Sequence, residues 1–348
     1  HLDQNLVMVI RLNPQEQSVW HDTRTLQIGL GRKRAVIGQI TPAQERLIAA
    51  LYQGIADQQL PDFAAGLGLK QSETQTVLEA LGPLLETSVE TNGKAKPPLI
   101  SAGYVQSAFA EIIRASLNTG SDGERVLAIR GLRKVFIDDL AGAGLTLALG
   151  LAAAGVGKIF TTDNSSVQVE NLGPSGYVQQ LLGRPKIDAV NSLLAASPNQ
   201  SEAILIDAVD CAILIGQQVI QPKRYARWLN RDIPHLAITF SSHRVFISPM
   251  ILASQSACLL CLEHFKANED SRWPVIASQL IGRKQKFDDA ASSMFGAGLA
   301  LQKCLATLDA WAGFQIESKN STGYELDLET GEVTAVTWPV ADGCDCQR

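Results

Sequence analysis

Four of the six cysteines fall in two tight pairs, Cys258-Leu-Leu-Cys261 and Cys344-Asp-Cys346. Two thiolates on a Cys-x-x-Cys turn and two on a Cys-x-Cys elbow can complete a tetrahedral four-sulfur shell around zinc. Such a shell leaves no coordination position open, so the metal is expected to be structural. It would tie the chain end to a loop more than eighty residues back. His264 reads as a neighbour of the first pair rather than a ligand, and Cys211 and Cys304 as core thiols. Six cysteines in 348 residues are not a disulfide scaffold. The spacing suits metal binding, and a cytoplasmic protein is expected.

A second chemistry is suggested by the glycines. Residues 134–138 read as a buried strand, and Ala154-Gly155-Val156-Gly157 closes the helix after it. Counting back by the usual length of a phosphate-loop helix puts residues 139–144 on the loop, with Gly142 and Gly144 as its glycines. Asp139 stands where the first glycine belongs, and a carboxylate there repels phosphate. Asp163, about twenty residues on, ends the second strand, where a nucleotide site holds ribose hydroxyls. It reads equally as a solvated strand-end aspartate. Lys186 reads as a phosphate contact or as a helix-start surface lysine. Residues 140–157 are uncharged but mostly Gly and Ala, so a buried helix is expected rather than a membrane span. The N-terminus lacks a basic-then-apolar export pattern.

These residues need elements to place them. A hydrophobic fraction of 46% argues for globular domains, and a net charge of −5 gives no global pull toward nucleic acid or an anionic membrane. From residue 134 onward, strands at 134–138, 158–162, 203–206, 212–215 and 236–240 alternate with helical stretches. That alternation argues for a parallel, doubly wound α/β sheet of Rossmann type. One long helix is expected over 288–314, then a hairpin of 324–328 and 333–338 leading to the second cysteine pair.

Residues 1–90 differ. Short strands at 6–12, 18–20, 26–29 and 34–37 precede three short helices. Thr41-Pro42-Ala43-Gln44 is a capping box, and Ser72 to Gln75 repeats its pattern before a stripe of Val77, Leu78 and Leu81. The set suggests a small winged-helix-like α+β module. Its third helix carries Glu73, Glu79 and Glu86 nearby, a poor face for phosphates, so no nucleic acid partner is expected. A peptide adding a strand to the sheet, beside Gln71, Thr74 and Gln75, is the sharper reading, and a structural appendage the blander one. Residues 91–100 read as a linker, and 101–348 as the second domain with its zinc site.

The second domain resembles the ThiF/MoeB/HesA superfamily, the adenylating enzymes related to ubiquitin-activating enzymes. The matching residues are Ala154-Gly155-Val156-Gly157, Asp163, Asn171-Leu172, Gly183-Arg184-Pro185-Lys186 and the two cysteine pairs. Gly173 to Gly176, the run from Ala257 to Glu263, Trp273-Pro274 and the terminal Cys-Asp-Cys look like the actinobacterial ThiF-like cyclodehydratase or leader-peptide-binding proteins of ribosomal peptide modification. That resemblance extends over the N-terminal module, which in such systems clasps a leader peptide. It implies ATP with magnesium at Gly142, Gly144, Asp163, Asn171 and Lys186, a homodimer, and a precursor peptide handed to a partner modifying enzyme.

The departures weigh against catalysis. The superfamily's second Asp is Ser165 here, its phosphate-gripping Arg is replaced by Gly173-Pro174, and its D-x-x-D stretch, whose second Asp holds magnesium, corresponds to Gly216-Gln217-Gln218-Val219, with Asp207 or Asp210 as substitutes under a different strand order. Adenylation builds charge on phosphates, and each group that stabilises such charge contributes roughly 2.7–4 kcal/mol. Three readings follow: a peptide-binding protein with a degenerate ATP site, an active adenylyltransferase with a diverged site, and a non-catalytic structural or regulatory homodimer.

Overall fold

A computed structural model of the chain describes residues 6–31, 34–91, 102–194, 200–203, 209–252, 255–283, 285–314, 322–344 and 346. The chain divides into two compact units, His1–Val126 and Leu127–Arg348.

In the first unit, the strand Leu6–Leu12 lies between Ile55–Ala56 and Leu85–Thr91, antiparallel to both. Ser18–Trp20, Leu26–Ile28 and Ala35–Ile37 make a separate antiparallel sheet. The four strands expected as one set are therefore shared between two sheets. The strand Leu85–Thr91 was not foreseen, because LETSVET alternates weakly and runs into the polar stretch read as a linker. Of that linker, only Thr91 lies within the described residues. The helix Pro42–Gln53 starts as the sequence suggests: Thr41 Oγ1 accepts from Gln44 N, and Gln44 Oε1 accepts from Thr41 N at 2.9 Å. The helix Gln71–Leu81 starts one residue before Ser72, its carboxylate at Glu73 accepting from Lys70 N at 2.8 Å. Leu47, Leu51, Val77 and Leu81 meet Leu12 and Ile28 in the core. Buried Asn13 ties that core to the helix Phe109–Thr119 by donating to the Ser116 carbonyl at 2.9 Å.

The second unit is built on one eight-stranded sheet. Gln200–Ala203, Lys158–Thr161, Lys134–Ile137, Cys211–Gln217 and His235–Phe240 run parallel, in that spatial order. The sheet is not wholly parallel: Arg244–Ile247, Gly323–Asp327 and Val333–Val336 extend it antiparallel. The turn between Phe240 and Arg244 is too short for a crossover helix, so the chain must reverse. Alternation along the central strands splits the side chains between two cores. Val135, Ile137, Ile213, Ile215, Leu236 and Ile238 face the helices Ala143–Ala153 and Ala290–Trp311. Phe136, Ala212, Leu214 and Ala237 face Tyr225 and Trp228 of the helix Pro222–Leu229, together with the cysteine pairs. Strands buried on both faces read as continuous apolar runs. Residues 140–157 accordingly form a loop and a buried helix, and among the described residues no helix is long and apolar enough to cross a membrane.

Candidate functional site

The cysteines form the first centre. Cys258 caps the helix Leu259–Glu269, which turns Cys261 toward the same point, and the segment after the Val333–Val336 strand brings Cys344 and Cys346 back to it. All four sulfurs lie within 4.8 Å of one another. The Cys258–Cys261, Cys258–Cys344 and Cys261–Cys346 separations are 3.8, 3.7 and 3.6 Å. A tetrahedron with Zn–S bonds of about 2.3 Å has edges of about 3.8 Å, so the four sulfurs fit zinc, and they are too far apart for disulfides. Three of the four side chains are buried. Burial pushes the Cys346 thiol up to about 11 and Cys258 further up, so a cation must displace their protons. His264 stands outside the four-sulfur cluster and lines a groove described below.

The second centre is a cavity of about 420 Å³ at the carboxyl ends of the parallel strands. This is where open α/β sheets bind ligands. The first strand leads into Asp138 and Asp139, and the loop then reaches the helix Ala143–Ala153. Gly142 takes a left-handed conformation, φ +49°, that favours glycine. At Gly144 a Cβ would overlap the Asp139 carbonyl oxygen, so only glycine fits. Tyr177 fastens the loop by donating to the Leu140 carbonyl at 2.5 Å.

The charges of the cavity are paired with one another. Lys186 Nζ lies 2.9 Å from Asp163 Oδ2 and 3.6 Å from Asp139 Oδ1, and the lysine side chain is only 8% exposed. Asp163 also accepts from Leu140 N at 3.0 Å and from Ser165 N at 3.0 Å. Burial raises its carboxyl, but hydrogen bonds from Ser165 and Lys186 hold it below the usual carboxylate range. Arg224 grips Asp138 through Nε at 3.1 Å and Nη2 at 2.5 Å. The other Asp138 oxygen accepts from Ile215 N at 2.9 Å. Burial still pushes the Asp138 carboxyl up to about 6. Beside Gly142 sits Asp288, which accepts from the Gln217 amide at 2.9 Å and whose carboxyl burial pushes up. Four carboxylates thus surround this loop.

Of the residues suggested for nucleotide, Asp163 and Lys186 line the cavity. Gly142 and Gly144 shape the loop without lining it, and Asn171 caps its own turn by accepting from Gln168 N at 2.9 Å. Gln217 ends its strand with both amide atoms engaged, and Val219, where the resemblance puts the magnesium-binding carboxylate, presents an apolar side chain to the cavity. Asp138, Arg224, Arg227 and Arg283 were missed. The doubled aspartate at the strand end, and arginines three apart on one helix face, were the available signals. In the first unit, Gln71 and Gln75 are exposed, whereas Thr74 is buried and donates to the Lys70 carbonyl at 3.2 Å.

No family model and no curated protein matches the sequence. Solved structures do. Escherichia coli MccB with selenomethionine MccA matches at a TM-score of 0.70 and 12% identity, covering 98% of this chain and 100% of that one. E. coli MccB with ATP matches at 0.67 and 13% identity, covering 97% and 99%. PaaA matches at 0.63 and 14% identity, covering 93% and 98%. MccB is described as a microcin C7 biosynthetic enzyme, and has also been crystallised with N-formylated MccA. At these identities the likeness is one of architecture: across nearly its whole length the chain shares the fold of MccB.

Proposed function

We propose that this chain binds a precursor (leader) peptide and presents it to a partner modifying enzyme, without using ATP. The observation that carries the reading is the internal pairing of the cavity's cations. Lys186 is held by Asp163 and Asp139, and Arg224 by Asp138. A triphosphate would have to break both pairs and strand buried carboxylates, which costs several kcal/mol. Magnesium would find Val219 where its carboxylate is needed. E. coli MccB crystallised with MccA has the same fold, which supports a ligand of the MccA kind here.

The winged-helix-like module supplies the surface for it. The strand Ala35–Ile37 is an edge: it pairs with Leu26–Ile28 on one side, and no other strand among the described residues joins it. The helix Gln71–Leu81 packs beside it. Val36 is exposed on the edge, and Gln71 and Gln75 on the helix. An extended peptide can pair its backbone with that edge and set alternate side chains against the helix. The zinc in this reading is a structural staple held by Cys258, Cys261, Cys344 and Cys346, and a homodimer belongs to the same reading. Titrating labelled full-length protein with peptides encoded near its gene tests it. Amide shifts at Ala35–Ile37 and Gln71–Leu81 are expected. Peptides that leave those amides unmoved, while ATP with magnesium binds tightly, would reverse the proposal in favour of an active adenylyltransferase.

A further inference from the structure

A second cavity adjoins the polar one. Val219 and Ile281 line the polar cavity, and both also line the second, of about 330 Å³. That neighbour is apolar. The helix Trp273–Leu280 contributes Trp273, Pro274 and Ala277, and Leu260 comes from the helix that follows Cys258. Trp273 is fixed there, its indole N–H donating to Glu263 at 2.6 Å. The two volumes together fall in the range of small-molecule sites, which are mostly apolar with a few placed polar groups.

Charge selects the ligand's head. Lys186, Arg224, Arg227 and Arg283 line the polar cavity against Asp138, Asp139 and Asp163, an excess of one positive charge. Lys186 and Arg224 are held by aspartates. Arg227 and Arg283 form no close ion pair among the described residues, although Asp138 attracts Arg227 electrostatically. Arg227 is nonetheless held in place, its guanidinium 5.0 Å from the Phe136 ring centre and 4.5 Å from that of Trp228, and its buried Nε has no hydrogen-bond partner. Arg283 keeps only its Nε engaged, on the Gln279 carbonyl at 3.1 Å. A guanidinium held against aromatic rings, with its Nε unpartnered, is suited to a carboxylate.

From this geometry we infer that the two adjoining cavities bind a monocarboxylate with an apolar body, its head at Arg227 and Arg283 and its body along Leu260, Trp273 and Ala277. A polyanion would exceed the lining's net charge of one. An uncharged lipid would leave the arginines without a partner. The inference rests on the reading of the cavity as one that does not take ATP.

Calorimetry on the zinc-loaded full chain tests it, with decanoate, decanol and ATP with magnesium as separate titrants below micelle-forming concentrations. Saturable one-to-one binding of decanoate is expected, with decanol at least tenfold weaker. Arg227→Gln should weaken decanoate at least tenfold. Arg283→Gln, at an exposed position, should weaken it several-fold with an unchanged melting curve, which covers the case that Arg227→Gln does not fold. Ala277→Trp, which fills the apolar part, should abolish it. Decanoate that fails to saturate, that binds no better than decanol, or that ignores Arg283→Gln overturns the inference. If ATP fails to bind as well, the non-nucleotide reading stands while this one falls; micromolar ATP affinity would bring down that reading itself.

Discussion

Replacing Cys344 by Ser should release the chain end, and the size of the effect follows from the topology. If the staple were the only link between its two cysteine pairs, the Cys258–Cys344 connection would close a loop of 86 residues. Treated as a cross-link, such a loop is worth about 4.6 kcal/mol of denatured-chain entropy. The sheet already holds most of that loop, because Gly323–Asp327 pairs with Arg244–Ile247 and with Val333–Val336. With the sheet intact, the open path runs only from Ile247 to Cys258 and from Val336 to Cys344, about 19 residues, worth about 3 kcal/mol. For a unit spanning Leu127–Arg348 that corresponds to a fall in Tm of about 6–12 °C. Calorimetric unfolding of Cys344→Ser, and of the parent protein stripped of metal by a chelator, measures it. Both should shift by the same amount, and the parent should carry one zinc per chain. A variant melting within 2 °C of the parent, or metal content below half an equivalent with all four thiols freely titratable, would refute the staple.

Other predictions follow from the buried charges. Lys186→Met should destabilise the protein by about 3 kcal/mol in the absence of any nucleotide, because it strands buried Asp163, and Asp163→Asn added to it should recover most of the loss. Urea unfolding of both variants checks this; a neutral Lys186→Met would mean the lysine is not a structural partner. His235 is buried, its Nδ1 hydrogen-bonds to the Ile233 carbonyl, and burial pushes its pKa down to about 4. The unfolded chain binds that proton near 6.5, so His235 contributes stability above 6.5 that is lost as pH falls toward 4, about 2 kcal/mol between pH 7 and 5. His235→Leu should remove this slope, measured as the change in variant-to-parent difference between those two pH values. Asp138 works in the opposite sense: its folded pKa of about 6 lies above the unfolded value, so its share of stability is present below about 4 and lost as pH rises through 6. Carbon-detected NMR should find a carboxyl titrating near 6 that disappears in Asp138→Asn.

Much of the architecture was legible because its signals are local. The Thr41 cap, the apolar runs at Val135 and Ile213, and the glycine-closed helix after Ala143 each lie within a few residues. Cysteine spacing carried the four-sulfur cluster for the same reason. What escaped depends on distant partners. The strand Leu85–Thr91 is defined by pairing with Leu6–Leu12, not by its own alternation. The antiparallel end of the sheet depends on Gly323–Asp327 finding Arg244–Ile247. In the cavity, Asp139 was read as an intruder on the phosphate loop, but the paired set was not, since Asp138 and Arg224 meet only when two strands and a helix converge 86 residues apart. An ion pair at that separation leaves no periodic trace in one sequence.

The most direct measurement of the central claim is therefore calorimetric titration of the zinc-loaded full chain with ATP and magnesium, in parallel with Lys186→Met. With Lys186 and Arg224 committed to Asp163, Asp139 and Asp138, no saturable heat is expected up to millimolar ATP from either protein. Micromolar affinity in the parent, lost in Lys186→Met, would contradict the account and restore the chain to the adenylating enzymes.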